Sequence, residues 1–253
     1  DNSMAETKFP TEEVNLPSKG YFYPKEHPLS SGKVEMKYMT AREEDILTSP
    51  NLLKQGLAID KLLEALIVDK KVKINDLLIG DKNALIIAAR ILAYGKEYNF
   101  TVYDEDGEQT TAKVDLTTLN DKEIDTKDLT QGVNEFQFKL PNSKRDANLR
   151  LLTHQDEKEL EIEAERLKKV GGITQAMTSR MKRVIVSVDG KSERAHINNF
   201  VDKELLSVDA LAIRKFINSV NPDVHMTTTA TFEDGTEQEV AVEITAQFFW
   251  PSA

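Results

Sequence analysis

The chain has 253 residues, 40% of them hydrophobic and 30% charged, enough to bury a core in one large or two modest domains. Lys and Arg number 33 against 43 Asp and Glu, and the net charge of −10 argues against general binding to nucleic acid or anionic membranes. A cysteine count of 0 excludes disulfides, thiolate metal sites and thiol catalysis, and no apolar run approaches the roughly 20 residues of a membrane span.

No signal peptide is visible, a reducing cytosol fits the composition, and Met4 reads as a native start behind an Asp1–Ser3 remnant. Residues 1–33 carry Pro10, Pro17, Pro24 and Pro28 with Gly20 and Gly32, a spacing that forbids a helix and predicts an extended arm. Its aromatics Phe9, Tyr21, Phe22 and Tyr23 either pack on their own domain or clasp a partner. Lys33–Met39 alternates as a strand, and Thr40 with Glu43 forms a capping box for a helix that runs to about Thr48, where Ser49-Pro50 breaks or restarts it. Ile59, Leu62, Leu63, Leu66 and Ile67 make a helical stripe. Asp81 is expected to cap a helix over Ala84–Ala93, apolar nearly all round and so buried, which Gly95 ends. Tyr98–Leu116 reads as a hairpin with an Asp-Gly turn, and Asn120–Thr130 as a polar, acidic linker.

Phe136, Phe138 and Leu140 open a second unit. Gln155–Val170 is a charged helix whose narrow apolar stripe is Leu160, Ala164 and Leu167, with Ile162 off it; this is either a solvated helix or a partner strand of a coiled coil. Gly171-Gly172 stops it, and Ile173–Met181 is expected to be helical. Val184–Val188 is β-like. Ser207 is expected to cap Val208–Ser219, and a closing hairpin turns at Asp234-Gly235. The tail Phe248, Phe249 and Trp250 either closes the core or anchors a partner.

The two units share features in the same order. Leu16-Pro-Ser-Lys-Gly20 parallels Leu140-Pro-Asn-Ser-Lys144, Met39-Thr40 with its acids parallels Leu152-Thr153, and Asp81 with its apolar run parallels Ser207 with its own. The expected fold is α+β, two pseudo-repeated lobes each with a strand, several helices and a terminal β-hairpin. The arm spans 1–33, the first lobe 34–119, the acidic linker 120–135 and the second lobe 136–253.

Candidate chemistry is sparse. His27, His154, His196 and His225 lack ligand or triad spacing, no phosphate-binding glycine loop follows a strand, and the acids at the hairpin tips lack the spaced ligands of a calcium loop. No catalytic residue, cofactor or metal site is assigned. The candidate residues are for partner binding: Phe9, Tyr21, Phe22, Tyr23, Leu160, Leu167, Phe248, Phe249 and Trp250.

With Leu16-Pro-Ser-Lys-Gly-Tyr-Phe-Tyr-Pro24, Val34-Glu-Met-Lys-Tyr-Met-Thr-Ala-Arg-Glu-Glu-Asp-Ile-Leu47, Gly80-Asp-Lys-Asn-Ala84 and the ending Thr245-Ala-Gln-Phe-Phe-Trp-Pro251, the chain resembles the T4-type bacteriophage baseplate hub family over nearly its whole length. The resemblance implies a non-enzymatic hub component or hub-assembly chaperone of contractile-tailed phages. It would bind hub proteins and the tape-measure protein in the host cytoplasm during tail assembly. A permanent place in the virion baseplate is the first alternative, and a homo-oligomer is left open. Some relatives carry Cys-x-x-Cys pairs at the hairpins, where this chain has acids and glycine; if the hairpins descend from zinc knuckles, this chain stabilises them without metal. A nucleic-acid binder of that descent and a cryptic hydrolase are the alternatives of another class.

Overall fold

A computed structural model describes residues 10–173, 175–244 and 246–249, and shows an α+β protein. The chain begins with β1 (Thr11–Asn15), antiparallel to β2 (Lys33–Lys37), so the proline-rich arm contains a paired strand that its composition does not signal. Between them a turn at Leu16-Pro17 and a short 3-10 turn at Pro28–Ser31 fold the arm back on itself. Then follow α1 (Ala41–Leu47), α2 (Pro50–Lys54), α3 (Ala58–Leu66) and α4 (Ile79–Tyr94), and the hairpin β3 (Glu97–Tyr103) with β4 (Gln109–Asp115).

Beyond the 120–135 segment come β5 (Phe136–Lys139) and β6 (Asp146–Leu149), α5 (His154–Lys169), α6 (Ala176–Val184), β7 (Ile185–Val188), α7 (Arg194–Lys203), α8 (Ser207–Val220), the hairpin β8 (Thr227–Thr231) with β9 (Glu237–Ala241), and α9 (Ala246–Phe249). The order in the three-stranded sheet is β5-β6-β7.

Local sequence explains most of these starts and stops. Thr40 N–H donates to Glu43 Oε2 at 3.0 Å, and Thr153 N–H to Asp156 Oδ2 at 2.9 Å, so both helices after the first hairpin of each half open on a capping box. In α3 the stripe Leu62, Leu63 and Leu66 is fully buried. Ile67, the residue after α3, bridges to Met36 of β2, and Ile185, the residue after α6, pairs with Leu149 of β6.

The starts of α4 and α8 differ from the expected ones. Neither Asp81 nor Ser207 is the capping residue; Leu78 and Leu206 hold those places, and the helices begin at Ile79 and Ser207. Asp81 and Asp209 therefore share the third helical position, two residues from the Asp81–Ser207 pairing that apolar spacing suggests. Their carboxylates face turns, not their own helix ends. Asp81 Oδ1 accepts from Ser18 N–H at 3.0 Å and Oδ2 from the Ser18 hydroxyl at 2.6 Å. Asp209 accepts from Asn142 N–H at 2.8 Å and Ser143 N–H at 3.1 Å. Each turn has a left-handed lysine, Lys19 at φ 55° and Lys144 at φ 63°.

One continuous core runs from Leu16 to Phe249. Phe22 packs edge-on against Phe136 with ring centroids 5.7 Å apart, and Phe248 against Tyr98 at 5.0 Å, so the arm and the closing helix are each held by the opposite half. Each such fully buried ring is worth about 2–3 kcal/mol relative to exposure. The 120–135 segment is also held: Lys122 N–H donates to the Asp223 carbonyl at 2.8 Å and Gly132 N–H to the Tyr21 carbonyl at 2.7 Å.

The two terminal hairpins pack side by side over Val102, Ala112, Ala230 and Phe232. At their tips the aspartates bind backbone: Asp104 Oδ1 accepts from Asp106 N–H at 2.9 Å and Glu108 N–H at 2.7 Å, and Asp234 Oδ1 from Thr236 N–H at 2.9 Å.

Two outcomes are expected from this packing. A Cβ at Gly80 would lie 1.9 Å from the Pro222 carbonyl oxygen, so Gly80→Ala should cost about 1–3 kcal/mol in urea unfolding; an unchanged midpoint refutes the close approach. Because apolar packing and aspartate turns hold the hairpin tips, EDTA should leave the melting temperature where it was. Zinc retained at either hairpin on elemental analysis would contradict that.

Candidate interaction surfaces

The junction between the two halves is built on α4 and α5. Leu78 bridges to Thr153, and His154 N–H donates to the Leu77 carbonyl at 2.8 Å. The capping box sets the first turn of α5 and so aims the His154 ring back at the first half. There His154 Nε2 lies 2.8 Å from Asp60 Oδ2, and Lys82 Nζ lies 2.7 Å from Asp60 Oδ1. Lys82 Nζ is also 3.2 and 3.3 Å from the two ring nitrogens of His154. All three side chains are largely buried.

Burial works against the charge on Asp60, but the hydrogen bonds from His154 and Lys82 outweigh it and pull the carboxyl from 3.8 down to about 2. An open groove of about 710 Å³ lies over this cluster, with Leu57, Ile59, Ile86 and Ile162 among its lining and Lys158 and Glu161 charged beside them. Its lining includes the Asp60, Glu161 and Glu165 carboxylates, the Lys82, Lys158 and Lys169 amines and the His154 imidazole. The arrangement is suited to fastening the two halves.

A second groove, about 440 Å³, runs between α6 and α8 and is lined by Ile79, Leu152, Met177, Met181, Ile213 and Ile217. It lies beside the hairpin of α5 and α6, which Ser179 and Glu163 join through a hydroxyl–carboxylate hydrogen bond of 3.1 Å. Around the tip of this hairpin Val170 is 76% exposed, Ile173 85% and Met177 62%. Ile162, on the outer face of α5, is exposed as well.

The residues expected to bind a partner have a different distribution. Phe22, Tyr23, Phe248 and Phe249 are buried in the core of this chain. Tyr21 is partly buried and donates its hydroxyl to the Leu129 carbonyl at 2.9 Å. Tyr23 donates to Asp81 Oδ2 at 2.6 Å while its oxygen accepts from Leu78 N–H at 2.9 Å. Leu160 and Leu167 are half-buried, Leu160 against the core. Phe9 and Trp250 lie outside the described residues. The rings of Phe22, Tyr23, Phe248 and Phe249 pack on the chain's own core. The exposed aliphatic residues at the α5–α6 tip are not among the expected binders. The signal that could find them is slight: Ile162 misfits its helical stripe, and Ile173 follows a glycine pair.

Among the described residues, no group of three or more His, Asp or Glu is placed to hold a metal ion, and no helix is long and apolar enough to cross a membrane.

A family model described as "T4 bacteriophage base plate protein" matches residues 11–250. No curated protein and no solved structure matches the chain.

The fastening cluster has a pH signature. Asp60 has a folded pKa below its ordinary 3.8, so its contribution is present above that value and is lost as pH falls towards about 2. Asp60→Asn should therefore lower stability at neutral pH by about 2 kcal/mol. The gap from wild type should close as the solution is acidified through that window. A gap that stays constant from neutral to acid pH excludes the charge-based fastening.

Proposed function

The chain belongs to the T4 bacteriophage base plate protein family, and on that footing we propose that it acts at the baseplate hub by binding other tail proteins during early assembly. The family itself makes it a phage baseplate protein that meets other baseplate proteins. The finer role, a hub-assembly chaperone or hub component without catalysis, is our reading.

The observation that carries it is the apolar tip formed by Val170, Ile173 and Met177. Ile173 and Val170 are the most exposed large apolar side chains among the described residues, and Met177 is 62% exposed beside them. A projecting helical hairpin with an apolar tip and a charged shaft suits insertion into a groove or bundle of another protein. The charged shaft keeps the free chain soluble, and the tip contributes its burial only when a partner covers it. Hub proteins and the tape-measure protein are the proposed partners.

Tagged protein, expressed during infection and crosslinked, should recover tail proteins. The double variant Ile173→Asp, Met177→Asp should lose them while keeping its melting temperature, since both side chains are exposed. Recovery of no tail protein by the wild type would reject the assembly role. Equal recovery by the variant would move the contact away from the tip. Mass spectrometry of purified particles then separates the two fates: a fixed copy number makes the chain a permanent baseplate component, and its absence makes it a chaperone.

A further inference from the structure

The contact that joins the two halves uses one shoulder and one corner. The shoulder is the first turn of α4 with the residues leading into it: Leu77 and Leu78 meet His154 and Thr153, Gly80 admits the Pro222 carbonyl, and Asn83 Nδ2 donates to Asp223 Oδ1 at 3.2 Å. The corner is the capping box that opens α5.

Both parts recur elsewhere in the chain. At the shoulder of α8, Leu205 and Leu206 stand where Leu77 and Leu78 do, and Asp209 stands where Asp81 does. At the corner of α1, Thr40 with its capping box holds the place of Thr153, and Ala41 that of His154. The outer side chains of the α8 shoulder are exposed, Leu206 by 48%, Val208 by 54% and Leu211 by 42%, while Leu205 and Ala210 pack partly on the chain's own core. Ala41 and Arg42 are exposed too, and among the described residues no isolated β-bridge reaches Thr40.

The side chains differ in an unexpected direction. The covered shoulder carries Gly80, Lys82 and Asn83; the uncovered one carries Val208, Ala210 and Leu211 at the same helical positions. A face left to water should be the more polar of the two, and here it is the more apolar. At the corner, His154 opposes Lys82 within the chain, whereas Ala41 and Ala210 are the corresponding pair.

We propose that the α8 shoulder of one copy docks on the Thr40–Ala41 corner of a second copy, repeating between chains the contact that joins the halves within one. The contact is head-to-tail. It leaves one shoulder and one corner free on every dimer, and so leads to a closed ring or an open filament. Val208 stands where Gly80 lets a carbonyl approach, so the second copy seats a side chain further out. The association is therefore weaker than the intrachain contact and depends on concentration. The proposal goes beyond the hub role, and its readout, the mass of the purified chain, is independent of that role.

Sedimentation velocity of the full chain over a wide concentration range tests it. The mean mass should rise with concentration above the 28.5 kDa monomer. Leu206→Asp with Leu211→Asp should abolish the rise, and so should Ala41→Glu. All three positions are exposed, and a glutamate suits the first turn of a helix, so folding should survive; circular dichroism checks it. A mixture of the two variants should form dimers and nothing larger, because each supplies the surface the other has lost. Wild type that stays monomeric at every concentration overturns the proposal. So does association that the variants leave unchanged, or a mixture that fails to dimerise.

Discussion

A carboxylate buried on the third residue of a helix and aimed at a turn far away in sequence organises each half. Asp81 and Asp209 are almost inaccessible, and a buried carboxylate without partners costs several kcal/mol. The chain must therefore bring donors to it. For Asp209 these are backbone N–H groups of the Asn142-Ser143 turn, and they hold the carboxyl below its ordinary value although burial acts the other way. For Asp81 they are the Ser18 N–H and hydroxyl and the Tyr23 hydroxyl. Here burial prevails and pushes the carboxyl up, and the tyrosine rises too, by burial and by the neighbouring Asp81 charge. The requirement is geometric as much as energetic. A carboxylate satisfied by one turn fixes how the hairpin of that half sits on its helix.

From Asp81 the constraint passes outward. The Tyr23 hydroxyl donates a hydrogen bond to Asp81 and accepts one from Leu78 N–H, which ties the arm to the shoulder of α4. Leu78 in turn bridges to Thr153, whose capping box orients α5 and its His154. Arm, shoulder and inter-half contact form one hydrogen-bonded path, and the aromatic rings close around it. This is why the arm's rings are structural. Tyr23 serves the buried carboxylate, and Phe22 reaches Phe136 of the other half. Outside this path, large apolar side chains are exposed at the tip of the α5–α6 hairpin and at the shoulder of α8.

Signals carried by neighbouring residues are legible in the sequence. The Thr40 capping box, the leucine stripe of α3, the Asp-Gly hairpin turns and the apolar run of α4 all stand in the structure, because each is set by residues within one or two turns of one another. Signals needing a distant partner are not. The strand character of Thr11–Asn15 comes from pairing with β2, and its only large apolar residue is Val14. Helix α7 buries just Ile197, Phe200 and Val201 amid polar neighbours, too short a stripe to stand out. The roles of Asp81 and Asp209 escape a local reading because an acid in the first turn of a helix suggests a cap. Only the fold shows that the partner is a turn, 63 residues away for Ser18 and 67 for Asn142. Which large apolar residues stay exposed is hidden for a related reason. Aromatic residues anchor both cores and interfaces, and composition does not say which. The informative residues are aliphatic ones that break a pattern, Ile162 off its stripe and Ile173 just past a glycine pair.

Comparing corresponding positions carries this further than either half alone. At the α4 shoulder the chain places glycine, lysine and asparagine, opposite a histidine and a proline carbonyl. That set fits one neighbour closely and is costly to expose in part, since a buried ion cluster missing one member leaves an unpaired charge. At the α8 shoulder it places valine, alanine and leucine. That set fits loosely and tolerates exposure, because an uncovered methyl group forfeits about 25 cal/mol per Å² without stranding a charge. A permanent contact within a chain can rely on the first chemistry, as its two sides are never apart. A contact made and released during assembly suits the second. The α4 and α8 shoulders both carry a buried aspartate at the third helical position, and the proposed contact would put their different side chains to these different uses.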